Sequence, residues 1–332
     1  TSATKCYICK NLFENLDLML SNIYEKSDDV DFKTFNLGII LKNSFLERDD
    51  LIKSKFKLTG IENIKFGVSA EIIKKLSRRT KSKRIVDNPD LFIQANFKDE
   101  SCTIRTKPLF VYGRYNKKIR KLPQKQVLCK SCNGIGCHNC NFDGLETLES
   151  VESNISNFLI KKFDGNQVKI NWIGGEDQSS LVLGDGRPFF AKILNPKRRN
   201  RILRKSLKLE DISLSELKKI PIPPKGSIAF KSKVSIIIDT KKSISITQLQ
   251  KLDILKNSEI HDAGKNKKNT QKRIYKISYK KLGKTSFRLD LLLDGGIPIK
   301  SFIQNSEITP NVSELLDNQC RCKSLDFKNI IL

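Results

Sequence analysis

Four cysteines inside twelve residues restrict the folding of this chain more tightly than any other feature of it. Cys129-Lys130-Ser131-Cys132 and Cys137-His138-Asn139-Cys140 flank Asn133-Gly134-Ile135-Gly136, whose glycines let the backbone double back. Two C-x-x-C knuckles this close can wrap one tetrahedral ion, and in a reducing compartment such spacing means metal before disulfide. Cys6-Tyr7-Ile8-Cys9 is a third knuckle, so the spacing leaves open whether one of the later pairs joins Cys6 and Cys9 instead. In either arrangement all four ligands are thiolates and no coordination position stays open. Structural zinc is therefore expected among these six cysteines, with no cofactor for catalysis, and a zinc hydrolase is disfavoured. Cys102 stands alone, and Cys320 and Cys322, too close for a knuckle, read as ordinary thiols. With only His138 and His261 present, a Ser-His-Asp or Cys-His enzyme is poorly supplied.

Charge points to the partner. Lys and Arg number 62 against 36 Asp and Glu, a net charge of +26 spread along the whole length. A globular chain this basic usually binds a polyanion, with nucleic acid the leading candidate; a Lys-rich, AT-biased proteome is the competing source of such charge. The charge is densest at Arg78 to Arg84, Arg114 to Lys121 and Lys197 to Arg201. Tyr112 and Tyr115 sit beside the second of these blocks. Read as a basic, aromatic loop, Gly113 to Lys121 suits base stacking by Tyr115 with phosphate contacts from Arg114 and Lys118. No run approaches ~18 apolar residues, so no membrane span is expected. Cys6 and Cys9 stand where the apolar core of a targeting segment would lie, and the chain reads as cytoplasmic.

Along the chain, Leu12 to Ile23 carries apolar residues at helical spacing, Phe35 to Leu41 reads as a strand, and Phe45 to Phe56 and Val68 to Leu76 read as helices. Leu91, Ile93, Ala95 and Phe97 alternate cleanly, Cys102, Ile104 and Thr106 repeat the pattern, and the two make a hairpin. Pro108 to Tyr112 is a short strand, and Val151 to Leu159 a helix. Val168, Ile170 and Trp172 alternate with Lys169 and Asn171 up to Gly174-Gly175-Glu176-Asp177; a second strand carries Phe189, Ala191 and Ile193. An acidic residue on a glycine turn between two core strands is held rigidly and faces outward, where a catalytic carboxylate must be. Pro221 to Pro224 is a rigid connector, Ile228 to Ile238 a strand, Ile246 to Leu255 a helix and Asn266 to Lys272 a basic loop. Strands at Ile274 to Tyr279 and Phe287 to Leu293 pair antiparallel, a helix follows Pro310, and Leu325 to Ile331 closes as a strand. The fold class is α+β with a mixed or antiparallel sheet.

On these residues the chain resembles the archaeal tRNA pseudouridine synthase family that acts on T-loop uridines 54 and 55. The likeness covers most of the chain and rests on Phe110-Val111-Tyr112-Gly113-Arg114-Tyr115, the Cys129 to Cys140 knuckles, Ser150-Val151-Glu152, Gly174 to Phe189 and Asn195-Pro196-Lys197. It implies a pseudouridine-synthase fold with flanking helices, preceded by a THUMP-type α/β RNA-binding module, which Asn88-Pro89-Asp90-Leu91 through Pro108 resembles, and a zinc-knuckle insert. The domains expected are residues 1–35 (Cys-x-x-Cys and helix), 36–108 (THUMP-like module), 109–147 (basic, aromatic loop and knuckles) and 148–332 (catalytic domain).

The aspartate of the family's Gly-Arg-Glu-Asp motif falls on Asp177, which the resemblance makes the nucleophile. Ile299-Lys300 resembles the Tyr-Ile-Lys segment whose basic residue faces that aspartate, with Arg187 as second candidate for that neighbour. The departures are Gly175 for the motif arginine, Ser179, Ser180 and Leu181 after the aspartate, Val234 and Pro298 at the substrate tyrosines, and Asn305 to Pro310 for a Gly-Asp and Gly-Arg-Thr pattern. Two functions follow: an isomerase converting tRNA uridine to pseudouridine without cofactor, or a catalytically weakened homologue that binds tRNA. In both, tRNA is the partner, no protein partner is implied, and a monomer is expected.

Overall fold

The computed structural model describes residues 5–262, 270–304 and 308–332. The chain divides into two compact units. One holds the residues up to Leu109 with Leu159–Val168 and Ile193–Ile202; the other holds Phe110–Phe158, Lys169–Lys192 and Leu203–Leu332.

The first unit is a four-stranded sheet covered by helices. Its helices are α1 (Leu16–Ser27), α2 (Asn43–Lys55) and α3 (Ile64–Thr80). Its strands β1 (Thr34–Ile40), β2 (Lys83–Arg84), β3 (Leu91–Asn96) and β4 (Ser101–Thr106) lie in the order β2-β1-β3-β4. The period-2 apolar sets predicted for Phe35 to Leu41 and Leu91 to Phe97 bury Phe35, Leu37, Leu91 and Ile93 against Leu16, Leu20, Val68, Ile72 and Leu76 of the helices. The hairpin expected at 91–106 is present, with Ile93 opposite Ile104. Cys9 is buried in this core while Cys6 is exposed.

The second unit is organised on an eleven-stranded mixed sheet, as its alternating runs led us to expect. In chain order come β5 (Leu109–Lys117), α4 (Val151–Phe163), β6 (Gln167–Trp172), β7 (Val182–Leu194), β8 (Leu207–Lys208), β9 (Ile212–Ile220) and β10 (Lys231–Thr240). These are followed by α5 (Ile246–Gln250), β11 (Glu259–Asp262), β12 (Thr270–Lys281), β13 (Ser286–Asp294), α6 (Ile299–Gln304), β14 (Ile308–Thr309), α7 (Val312–Leu316) and β15 (Cys320–Ile331). The strands run β14-β11-β12-β13-β10-β15-β7-β5-β9-β8, with β6 paired to β7. Most pairs are antiparallel, and β15 meets β7 in parallel. The inward faces of β10 and β13 form a core with Phe302 and Ile303 of α6 and Val312 and Leu316 of α7.

Several expectations change. Gly113 to Lys117 is not a loop: it continues β5, whose partner β9 was not foreseen. The helix read over Ile246 to Leu255 is α5 followed by a 3-10 turn, and α6 was not foreseen. The basic loop read at Asn266 to Lys272 lies outside the described residues as far as 269, and Thr270 to Lys272 begin β12. Asn305 to Glu307 also lie outside them. Among the described residues, no helix is long and apolar enough to cross a membrane.

Candidate active site

The glycine turn between β6 and β7 displays Asp177 on a rigid support. Gly174 has φ +73°, and a Cβ there would stand 2.5 Å from the Phe230 ring and 2.8 Å from Nη1 of Arg187, so glycine is required on both counts. Gly175, at the position of the family's arginine, is exposed and has only Gln124 Oε1 within 4 Å of an added Cβ, at 3.9 Å. That departure lies on the open side of the turn and leaves its scaffold intact.

Asp177 is held by three donors. Its Oδ1 accepts from the Ser179 amide at 2.9 Å and hydroxyl at 2.6 Å, and its Oδ2 accepts from Lys300 Nζ at 2.6 Å. The side chains of Lys300 and Asp177 remain 53% and 35% exposed, so a substrate can reach the pair. Partial burial alone would raise the Asp177 pKa; the Lys300 and Ser179 hydrogen bonds outweigh it and bring the carboxyl down to about 2. It is a carboxylate at every physiological pH. Lys300 sits in the first turn of α6, and Phe230 reaches both sides of the site, since a Cβ on Gly295 would also lie 2.3 Å from its ring.

Beneath the turn lies a charged cluster closed to solvent. Glu176 points inward between two cations, 3.1 Å from Lys117 Nζ and 3.3 Å from Arg187 Nε, and all three side chains are fully buried. Arg187 also donates to the Ile173 carbonyl at 2.9 Å and lies over the Phe327 ring. Arg187 thus pairs with Glu176, and among the described residues Lys300 is the cation bonded to the Asp177 carboxylate. Gln124 donates to the Tyr115 hydroxyl at 2.9 Å and to the Gly174 carbonyl at 3.3 Å. Burial and the nearby Glu176 charge push the Tyr115 phenol well above its ordinary range.

The residues expected to bind substrate separate into two groups. Tyr115 is 0% exposed within β5, so it cannot present its face to a base. Arg114 is buried and donates to the carbonyls of Asp185, Gly186 and Ile330. Val234 lies in the apolar core of β10, inaccessible to any ligand. Pro298 is half-buried and accepts the first α6 hydrogen bond, from Phe302. Lys118 is exposed and free to meet phosphate. Lys117 was not foreseen, although its place two residues beyond Tyr115 puts it on the same strand face.

The cysteines settle into one group. The Sγ atoms of Cys129, Cys132, Cys137 and Cys140 all lie within 4.8 Å of one another, and this set could hold a metal ion. Three of their separations are 3.8 to 3.9 Å, close to the edge of about 3.8 Å that a tetrahedron with metal–sulfur bonds of ~2.3 Å requires. Amides of Gly136, Cys137 and Gly144 point at the sulfurs, as thiolates favour. These four make a complete tetrahedral set without Cys6 or Cys9. Among the described residues, no other His, Cys, Asp or Glu set includes them.

Comparison with known proteins agrees with this arrangement. Residues 110–330 match the family model described as Pus10, C-terminal, and residues 20–96 match that of the archaeal Pus10 THUMP domain. A curated relative from Nitrosopumilus maritimus, a tRNA pseudouridine synthase Pus10, is 42% identical over 99% of this chain and 86% of its own. One of the same description from Cenarchaeum symbiosum is 32% identical over 98% of this chain and 81% of its own. A solved chain from an H/ACA RNP bound to a substrate RNA overlaps 65% of this chain and 47% of its own at 8% identity, with a TM-score of 0.33 too low to bear on the fold. With the family model covering more than half of its length, this chain belongs to the Pus10 C-terminal family and carries an archaeal Pus10 THUMP domain.

Proposed function

We propose that this protein isomerises uridine to pseudouridine in tRNA, at T-loop position 54, 55 or both, with Asp177 as the nucleophile. The observation that carries the reading is the ionised, solvent-reachable Asp177 carboxylate bonded to Lys300 on a braced turn. The reaction breaks the bond from N1 of uracil to C1′ of ribose, turns the base, and joins C5 to C1′; the C5 proton is lost and N1 gains one. Atoms and electrons balance within the nucleotide, so a carboxylate that can reach the ribose of an extruded base is the group the chemistry asks for. Lys300 keeps that carboxylate charged. The net charge of +26 and exposed Lys118 suit a polyanionic partner. Among the described residues nothing favours a binding-only role, since Asp177 and the lysine that keeps it charged are in contact. The test is to incubate the protein with unmodified tRNA transcript and map pseudouridine along it. Conversion at a T-loop uridine is expected; conversion elsewhere or none sinks the reading.

The four clustered thiolates hold a structural zinc on this reading. Their separations and amide donors support it, and four protein sulfurs leave the ion no open position. Metal analysis is expected to find about one zinc per chain, and Cys132→Ser to lose the ion and melt the 129–146 segment without a selective effect on chemistry. Protein purified without chelator and free of zinc would count against the site.

A further inference from the structure

Lys117 has no evident duty to packing. A buried ammonium is costly to desolvate unless its surroundings compensate it. Glu176 cannot be the whole reason, because Arg187 already neutralises that carboxylate. The cluster therefore holds two cations against one anion, and the surplus charge goes to backbone oxygens. Lys117 Nζ lies 2.8 Å from the Leu122 carbonyl, 3.3 Å from that of Gln178 and 3.5 Å from that of Asp177 itself. Arg120 holds the Ser179 carbonyl at 2.6 Å while forked onto Asp326, and Asp326 accepts from the Leu181 amide. Three successive carbonyls of the turn are thus pinned by cations. A methionine would fill the same volume and leave a neutral Glu176–Arg187 pair.

We propose that Lys117 is a positioning residue for the pseudouridine chemistry: its buried ammonium grips the backbone of Asp177 and Gln178 and so fixes where the carboxylate stands. The inference rests on the reading of Asp177 as nucleophile. Being fully buried, Lys117 touches no RNA, so its loss acts on the chemical step alone. Displacement of a reacting group by about 1 Å costs on the order of a hundredfold in rate.

The test uses the full chain and a tRNA transcript. Lys117→Met is expected to lower the single-turnover rate about 10- to 100-fold, with KM for tRNA within about twofold of wild type. Trp172, the single tryptophan of the chain, reports folding by its emission. The core variant Ile72→Ala, destabilised within the separate core of the first unit, is the control and keeps the wild-type rate where it is folded. Hydrogen exchange supplies a readout independent of activity. The Ser179 and Ser180 amides, which bond the Asp177 side chain and carbonyl, should exchange about tenfold faster in Lys117→Met, with the β10 amides unchanged. A rate within twofold of wild type, or exchange confined to what Ile72→Ala also shows, overturns the proposal. Failure of both Lys117→Met and Lys117→Gln to fold overturns it too, since Lys117 would then be structural. If wild type makes no pseudouridine, the catalytic reading falls, and the exchange data still decide whether Lys117 braces the turn.

Discussion

Asp177→Asn should lower pseudouridine formation at least about a thousandfold while leaving tRNA affinity within about twofold. An amide matches the carboxylate in size and cannot act as the anionic nucleophile. Its oxygen can still accept the Ser179 amide and hydroxyl, so the turn survives. The other end now meets Lys300 donor to donor, and that half-exposed lysine can swing into solvent. Single-turnover conversion and a binding isotherm on one preparation separate the two effects. Turnover like that of wild type would falsify the role given to Asp177.

Glu176→Gln should act oppositely, on the fold before the chemistry. It removes the one anion between Lys117 and Arg187, leaving two cations at full burial without a counter-charge. Breaking a buried pair in this way costs about 3–5 kcal/mol. In a unit of this size that corresponds to a fall in Tm of roughly 10 °C. Thermal unfolding decides the matter: Asp177→Asn should melt close to wild type and Glu176→Gln well below it. Equal melting temperatures would show that solvent or carbonyl dipoles already carry the charge of the two cations.

The contrast between these neighbours marks how far the sequence could be read. Val168, Ile170 and Trp172 alternate, Gly174 interrupts, and an acid on such a turn is legible at once. The pairing of Asp177 with Lys300 was reached through family likeness, since 123 residues separate them. What could not be read is the direction of the preceding acid. Glu176 faces inward because Lys117 and Arg187 wait there, and they come from two other strands. Arg114 and Tyr115 misled for a similar reason. Five basic residues after Gly113 look solvated until the carbonyls of Asp185, Gly186 and Ile330, all remote in sequence, are in place to accept Arg114.

Strand β9 escaped notice through local irregularity. A register shift opposite Tyr112 and Arg114 and a positive φ at Glu216 break the period of Ile212, Leu214 and Leu217. Val234 is a plainer case: Val234, Ile236 and Ile238 alternate as a buried face does, a pattern that carries more weight than the family alignment that put Val234 at a substrate position.

The position of β15 bears on how an active molecule is made. This strand, the last of the described chain to be synthesised, lies between β10 and β7. Asp177 hangs from the β6–β7 side and Lys300 from the β10–β13 side. The two sides share no strand pairing until β15 enters, and Asp326 on β15 also takes the Leu181 amide. A nascent chain can assemble its N-terminal module early, yet Asp177 and Lys300 lie on sheet segments that only this late, long-range strand joins. Until then β10 and β7 each expose an open edge, the condition in which β-sheet proteins fold slowly and are most open to aggregation.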